Sequence, residues 1–411
     1  MIALNIVGNT PEPDQLYGRD ELIGRIWRQL AGNNILLLGP RRFGKSGVMR
    51  HLLRRPRTGY LPLYLDLMDA SSPVDFAMRL TEAAAGTDPI RKTLRAVKSL
   101  PKALREFLVH TVEEMEVKGV RLVLRQELET SWRETVRHLG AEMEKCQDTV
   151  VFLLDEFPWM LANMEKKLGP TPARDFMAWF SSFRLRGDSA LRRHRFVVAG
   201  SIGLDALLRR LEAPDKLRDF ERAYAGAIDE ATAVHLVRDV CQTLDIEMTD
   251  ELRQQIVERM DRIPYFIHLL LSMLAQLPDC DRHPVVPEGL ERVCADRMLG
   301  NEGKGYFDHY RDRLRHYGKS RERAAMAILS TVSEAPSGRV GESALYDMYR
   351  RARGRGFGST EFDELMADLQ CDFYLARDSQ TNEYRFLVSV MRNWWKQWYP
   401  LSTRRHSAKR P

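Results

Sequence analysis

Nothing in the cysteine usage of this chain points to a disulfide framework or a zinc site. Its five cysteines, Cys146, Cys241, Cys280, Cys294 and Cys371, fall in no CxxC pair and no Cys/His cluster, so they read as buried thiols. Long apolar runs are missing too: stretches such as Val150 to Leu154 fall far short of the roughly 20 residues that span a bilayer. The N-terminus carries no basic segment followed by an apolar one, so no membrane association is expected and the cytoplasm is the expected location. Internal repeats and low-complexity tracts are also absent, which leaves no basis for a repeat architecture. What remains is an ordinary globular mix, 411 residues with 44% hydrophobic and 29% charged, long enough for two or three domains. A net charge of +6 is compatible with a nucleic-acid partner without requiring one.

Three segments, Asn34 to Gly39, "TVVFLLDEF" (149 to 157) and "RFVVAGS" (195 to 201), are continuous apolar runs bounded by polar turns. Such runs suit parallel strands covered on both faces. "LPLYLDL" (61 to 67) is a further strand candidate, and the alternation of Val120, Leu122 and Leu124 a weaker one. Trp132, Val136, Leu139 and Met143 recur at helical spacing and lie on one helix face. Strands alternating with helices predict an α/β domain over 1–226, with a helical insert at about 74–145. Helices follow at 229–244, 250–261 and 263–277, with Asp229 and Thr249 as N-caps and Pro264 in a first turn. They form a small helical module over 227–280. A connector with one helix near 288–299 fills 281–319. From 320 to 400 the order is helix (322–334), helix (341–352), helix (359–370), two short strands and a last helix, the order of a winged helix-turn-helix. A basic tail covers 401–411.

The stretch "GPRRFGKS" (39 to 46) fits G-x-x-x-x-G-K-[ST] between a strand and a helix. Gly39, Pro40, Arg41, Arg42, Phe43, Gly44 and Gly47 belong to the binding loop, whose glycines would let backbone N–H groups curl around a phosphate at the helix's positive end. Lys45 would reach the β- and γ-phosphates, and the Ser46 hydroxyl would ligate Mg²⁺. The second strand delivers Asp155 at its carboxyl end for the Mg²⁺ shell, and Glu156 beside it can polarise a lytic water. Ser201, after the third strand, suits contact with the γ-phosphate or the water; it suits equally the N-cap of "GLDALLRR". The arginines ahead of that strand, Arg184, Arg186, Arg192, Arg193 and Arg195, read as a solvated basic face or as the source of an arginine finger for a neighbouring subunit.

The ordered set "LYGRDELIGRIWRQL", "LLLGPRRFGKS", "LLDEFPWML", "VVAGSIGL" and "RIPYFIHLLL" resembles the AAA+-related P-loop ATPases of the archaeal-ATPase and origin-recognition-like group, which borders the STAND signalling ATPases. The resemblance covers about residues 14 to 280. It implies a P-loop NTPase core that binds and hydrolyses ATP with Mg²⁺, with Gly18 and Arg19 near the adenine. It also implies Ser201 as first sensor and residues 227–280 as a helical lid. Pro264 and Tyr265 match the group's proline-aromatic step, but the arginine that many AAA+ proteins carry there as a second sensor is missing. A winged helix after the lid is usual in the group.

Arg350, Arg351, Arg353 and Arg355 lie beside the candidate recognition helix "STEFDELMADLQ" and can neutralise phosphates of duplex DNA. That helix is acidic through Glu361, Asp363, Glu364 and Asp368, which makes it a poor groove partner. Trp394, Trp395 and Trp398 suit either base stacking or packing of the last helix. The expected function is therefore an ATP-hydrolysing molecular switch coupled to DNA binding or partner assembly. The alternative is a STAND-like signalling or anti-phage ATPase that works through protein partners and nucleotide-dependent homo-oligomerisation.

Overall fold

The computed structural model describes residues 7–8, 10–95, 120–185, 193–200, 203–353 and 358–401. These divide into two compact units, one of residues 12–39 and 44–225, the other of residues 226–411 together with 40–43 and the first eleven residues.

The first of these holds a five-stranded sheet of β1 (Asn34–Leu38), β2 (Tyr60–Asp66), β3 (Thr149–Asp155), β4 (Arg195–Ala199) and β5 (Phe220–Tyr224), in the order β2-β3-β4-β1-β5. Every pairing is parallel. Because strand side chains alternate between faces, Ile35, Leu37, Val151, Leu153 and Val197 enter one core with the helix Asp20–Gln29 and the helix Lys45–Arg54. Leu36, Val150, Phe152, Leu154 and Val198 enter the other, packed with the helices Pro73–Gly86, Val120–Met143 and Pro170–Leu185. Burial on both faces explains the unbroken apolar runs. The parallel α/β architecture of a P-loop core is what the sequence predicts.

Two expectations are corrected here. Residues 120–124 are not a strand but the first turns of the 24-residue helix Val120–Met143, whose buried stripe runs through Leu124, Leu128, Trp132, Val136, Leu139 and Met143. A run of only three alternating apolar residues does not separate a strand from a helix, and the longer 3.6-residue period decides. The edge strand β5 was not expected, since only Phe220 and Ala223 of its five residues are buried.

The other unit begins with the helices Glu230–Thr243, Asp250–Arg259 and Pro264–Leu274. Asp229 and Thr249 cap the first two, accepting from the N–H of Thr232 at 2.9 Å and of Leu252 at 3.3 Å, and Pro264 opens the third. The expected connector holds more structure than its prolines and glycines suggest: Pro287–Arg292 continues into a π turn, and Lys304–Arg313 is a full helix with Phe307, Tyr310 and Arg313 buried. The helices Lys319–Glu334, Glu342–Arg353, Ser359–Cys371 and Ser389–Trp398 then surround a small sheet. That sheet contains an unexpected strand, β6 (Arg339–Gly341), with the expected hairpin β7 (Leu375–Arg377) and β8 (Glu383–Phe386), in the antiparallel order β6-β8-β7. Cys146, Cys241 and Cys294 are buried and Cys280 is exposed. Among the described residues, no helix is long and apolar enough to cross a membrane.

Candidate functional site

Parallel strands put all their carboxyl ends on one edge of the sheet, and the chemistry-bearing residues collect there. β1 runs into Gly39, where φ is +156° and a Cβ would lie 2.6 Å from the Ala225 carbonyl oxygen, so the position has no room for a side chain. Gly44 adopts φ +81° and caps the helix Lys45–Arg54, a left-handed geometry that glycine reaches without cost. Lys45 is 6% exposed, and its Nζ donates to the Gly39 carbonyl at 2.7 Å. Ser46 follows on the same first turn, half-buried, and Gly47 is buried. The loop thus presents a glycine-framed curve at a helix start, the arrangement that binds phosphate by backbone N–H groups.

Gly18, at φ +63°, turns the chain into Arg19, which is 4% exposed and lies 3.8 Å, by its Nε, from where a Cβ on Gly44 would sit. Burial lowers the Arg19 pKa to about 10. The structure therefore brings the Gly-Arg step and the phosphate loop together.

β3 ends in Asp155, which is 3% exposed. Its Oδ1 accepts the backbone N–H of Glu156 at 3.0 Å, and its Oδ2 accepts the Tyr64 hydroxyl at 3.0 Å. Glu156 has left-handed backbone, φ +52°, and caps the helix Phe157–Leu168; a non-glycine residue held there is strained, as functional positions often are. In register terms Leu154 is level with Val198, and Ala199 with Leu37. Asp155 therefore stands two strand spacings from the end of β1, roughly 10 Å.

Tyr64 was not singled out from sequence, nor was Asp66, whose register partner is Asp155 itself. The only signal was a tyrosine and an aspartate inside the otherwise apolar run "LPLYLDL". Burial, and secondarily Asp155, raises the Tyr64 pKa well above that of a free phenol, so its hydroxyl stays a donor. The Asp155 carboxylate and the Ser46 hydroxyl, completed by phosphate oxygens and water, are a donor set suited to Mg²⁺. Among the described residues no group of three or more His, Cys, Asp or Glu side chains is placed to hold a metal by itself.

The crest of the loop, Pro40 to Phe43, belongs to the other unit. There the Arg42 guanidinium lies 4.7 Å from the centroid of the Tyr265 ring, next to Pro264, and the Tyr310 hydroxyl donates to the Arg41 carbonyl at 3.1 Å. Phe43 is buried.

Of the remaining residues singled out in the sequence, Ser201, Arg186, Arg192 and Arg355 lie outside the described residues. Arg184 is not part of a solvated face: it is buried, forks to Asp219 and the Lys216 carbonyl, and lies over Phe180 and Phe220. Arg193 and Arg195 bind the carbonyls of Gln147 and Leu30. Arg350 and Arg351 are exposed at the end of their helix, whereas Arg353 donates to Ser320. Trp394 and Trp395 are fully buried, and the Trp398 indole donates to the Leu299 carbonyl at 2.7 Å. These tryptophans pack the last helix. Three of the four acids on the helix Ser359–Cys371 have internal roles: Glu361 accepts from Gly358 N, and Asp368 and Glu364 pair with Arg321.

No protein-family model matches the chain in sequence, and no curated protein does. Solved structures do match in fold. A Walker-type ATPase from Pyrococcus abyssi superposes with a TM-score of 0.64 at 16% identity, covering 95% of this chain and 99% of that one. The ORC2 protein of Aeropyrum pernix, solved as ADPNP–ADP complexes, superposes with a TM-score of 0.54 at 12% identity, covering 96% of each chain. The chain therefore has the α/β P-loop fold of archaeal Walker-type and origin-recognition-like ATPases.

Proposed function

We propose that this chain binds ATP with Mg²⁺ on the loop 39–47, hydrolyses it, and uses the nucleotide state as a switch. The observation that carries the reading is the convergence, on one carboxyl edge of one parallel sheet, of Gly39, Gly44 and Lys45, Arg19 and the Asp155–Glu156 step. In this reading Lys45 neutralises the β- and γ-phosphates, and Ser46 and Asp155 hold Mg²⁺, which draws charge from the phosphate oxygens when bound. Tyr64 orients Asp155, and Glu156 accepts a proton from the attacking water. Lys45→Ala should weaken ATP binding about 100-fold, the loss expected when one partner of a buried charge pair is removed. Glu156→Gln should retain ATP while lowering turnover by about 10² to 10⁴. Equilibrium binding and phosphate release check both, and unaltered ATP binding by Lys45→Ala would sink the assignment.

The C-terminal residues 320–400 read as a winged helix, supported by the order helix, strand, helix, helix, strand, strand. With Arg350 and Arg351 exposed, duplex DNA is the partner this reading favours. Each arginine that contacts phosphate should add about one to the slope of log affinity against log salt. The double variant Arg350→Gln, Arg351→Gln should therefore flatten a salt titration by about two, and an unchanged slope removes the DNA branch. A second reading, signalling through protein partners and nucleotide-dependent self-assembly, is favoured by the outer face of the helix Ser359–Cys371. Its exposed Glu361, Asp363 and Glu364 are all acidic. Mass measured with an ATP analogue against ADP decides it: a monomer in both argues against assembly.

A further inference from the structure

In the unit containing residues 226–411 and the loop crest 40–43, one buried arginine has no hydrogen-bonding acceptor among the described residues. Arg313 ends the helix Lys304–Arg313 and is 3% exposed. Among the described residues, none of its Nε, Nη1 and Nη2 atoms has a hydrogen-bonding partner. A guanidinium carries five N–H donors, and burying it unmatched is among the costlier arrangements a fold can hold.

Its surroundings add charge of the same sign. Arg313 acts electrostatically on His309, Tyr310 and Tyr374. Burial first, and then the charges of Arg41, Arg313 and Arg42, drive the His309 pKa far below that of a free imidazole, against a backbone hydrogen bond at Tyr306 that raises it. The His309 ring lies 4.0 Å from that of Tyr310, whose hydroxyl holds the Arg41 carbonyl. Further unmatched groups sit in the same neighbourhood: Arg42 Nε, the Tyr265 hydroxyl and His309 Nε2 are buried without a hydrogen-bonding partner. Arg42 lies directly over Tyr265, at 4.7 Å. Burial raises the Tyr265 pKa, so that hydroxyl keeps its proton and remains a donor. The Asp372 carboxylate acts on Tyr374, and its Oδ2 already accepts the Tyr317 hydroxyl.

The cluster is rich in donors and in positive charge, and the complement of such a set is a compact oxyanion. Guanidinium forks match phosphate oxygens in geometry as well as charge. We propose that this cluster is a binding site for a phosphate group, with Arg313 as its buried cation and Arg42 and the Tyr265 hydroxyl as further donors. The group has two sources, free inorganic phosphate or pyrophosphate. The inference stands without the nucleotide reading above.

The test uses the full chain as wild type, Arg313→Met, Arg313→Lys and Lys45→Ala. Calorimetry and thermal unfolding are run with ADP, a non-hydrolysable ATP analogue, pyrophosphate and inorganic phosphate. Without ligand, Arg313→Met should melt above wild type, because an uncompensated buried charge has been removed. It should also bind the phosphate ligand at least tenfold more weakly, with Arg313→Lys in between. Loss of affinity confined to the nucleotides, with pyrophosphate and phosphate bound as by wild type, overturns the proposal. Loss for pyrophosphate or phosphate, preserved in the Lys45→Ala background, assigns it to the free anion. Binding of all four ligands within twofold of wild type by both Arg313 variants overturns the proposal. So does a lowered melting temperature in Arg313→Met that Arg313→Lys restores with no change in binding, since that is a structural role. If Lys45→Ala binds nucleotide like wild type, the nucleotide reading fails on its own, and the pyrophosphate and phosphate measurements still decide this site.

Discussion

His194 is a buried imidazole, 2% exposed, whose Nδ1 accepts the Val150 N–H at 3.0 Å. That bond requires the neutral ring with its proton on Nε2, and burial, with Arg193 and Arg195 adding to it, lowers the pKa to about 4. A group whose folded pKa is depressed takes up its proton first in the unfolded chain. Its contribution is therefore whole above pH 6.5 and is lost as the pH falls from there toward 4. The loss from this residue should be on the order of 3 kcal/mol. Urea titrations at a series of pH values should show it, and His194→Gln should flatten the dependence across that window. Legibility at this scale follows chemistry. Lys45, Asp155 and Glu156 stand out in sequence because phosphate and Mg²⁺ chemistry demands given residue types at given spacings. Tyr64 and Asp66 acquire meaning only through the β2–β3 register that sets them beside Asp155. Arg313 was one arginine among many until the fold buried it.

Elements show the same division. β1, β3 and β4 were readable because both faces are covered and their composition is almost purely apolar. β5 and β6 were not, since only Phe220 and Ala223 of β5 are buried and β6 is three residues long with none buried. Helix starts were readable wherever a side chain caps them, as Asp229 and Thr249 do. The close fit of elements is invisible to such signals. After β4, a Cβ on Gly200 would lie 2.3 Å from the Pro158 ring, in the first turn of the helix that follows the acidic step. A rigid ring cannot yield as a flexible side chain does. Gly200→Ala should therefore destabilise the chain by about 1 to 3 kcal/mol, the usual cost of overpacking. A lowered urea midpoint checks it, and turnover should fall with it if the helix is displaced.

With two compact units in one chain, unfolding need not be a single transition, and a ligand held by one unit should raise chiefly that unit's transition. If ATP binds as proposed, a concentration of about 100 times its Kd should stabilise the native state by about 2.7 kcal/mol. Scanning calorimetry with and without nucleotide should show a rise in wild type that Lys45→Ala loses. Among the described cysteines, Cys241 and Cys294 are held near 12 and 11 by burial and are poor nucleophiles. Cys146 is buried as well, and Cys371 is half-buried. Cys280 alone is exposed, on the short helix Asp279–Arg282 that follows Pro264–Leu274. Brief treatment of the unaltered chain with a maleimide dye should therefore mark this one thiol first, giving a fluorescent reporter on the C-terminal unit without any engineered cysteine.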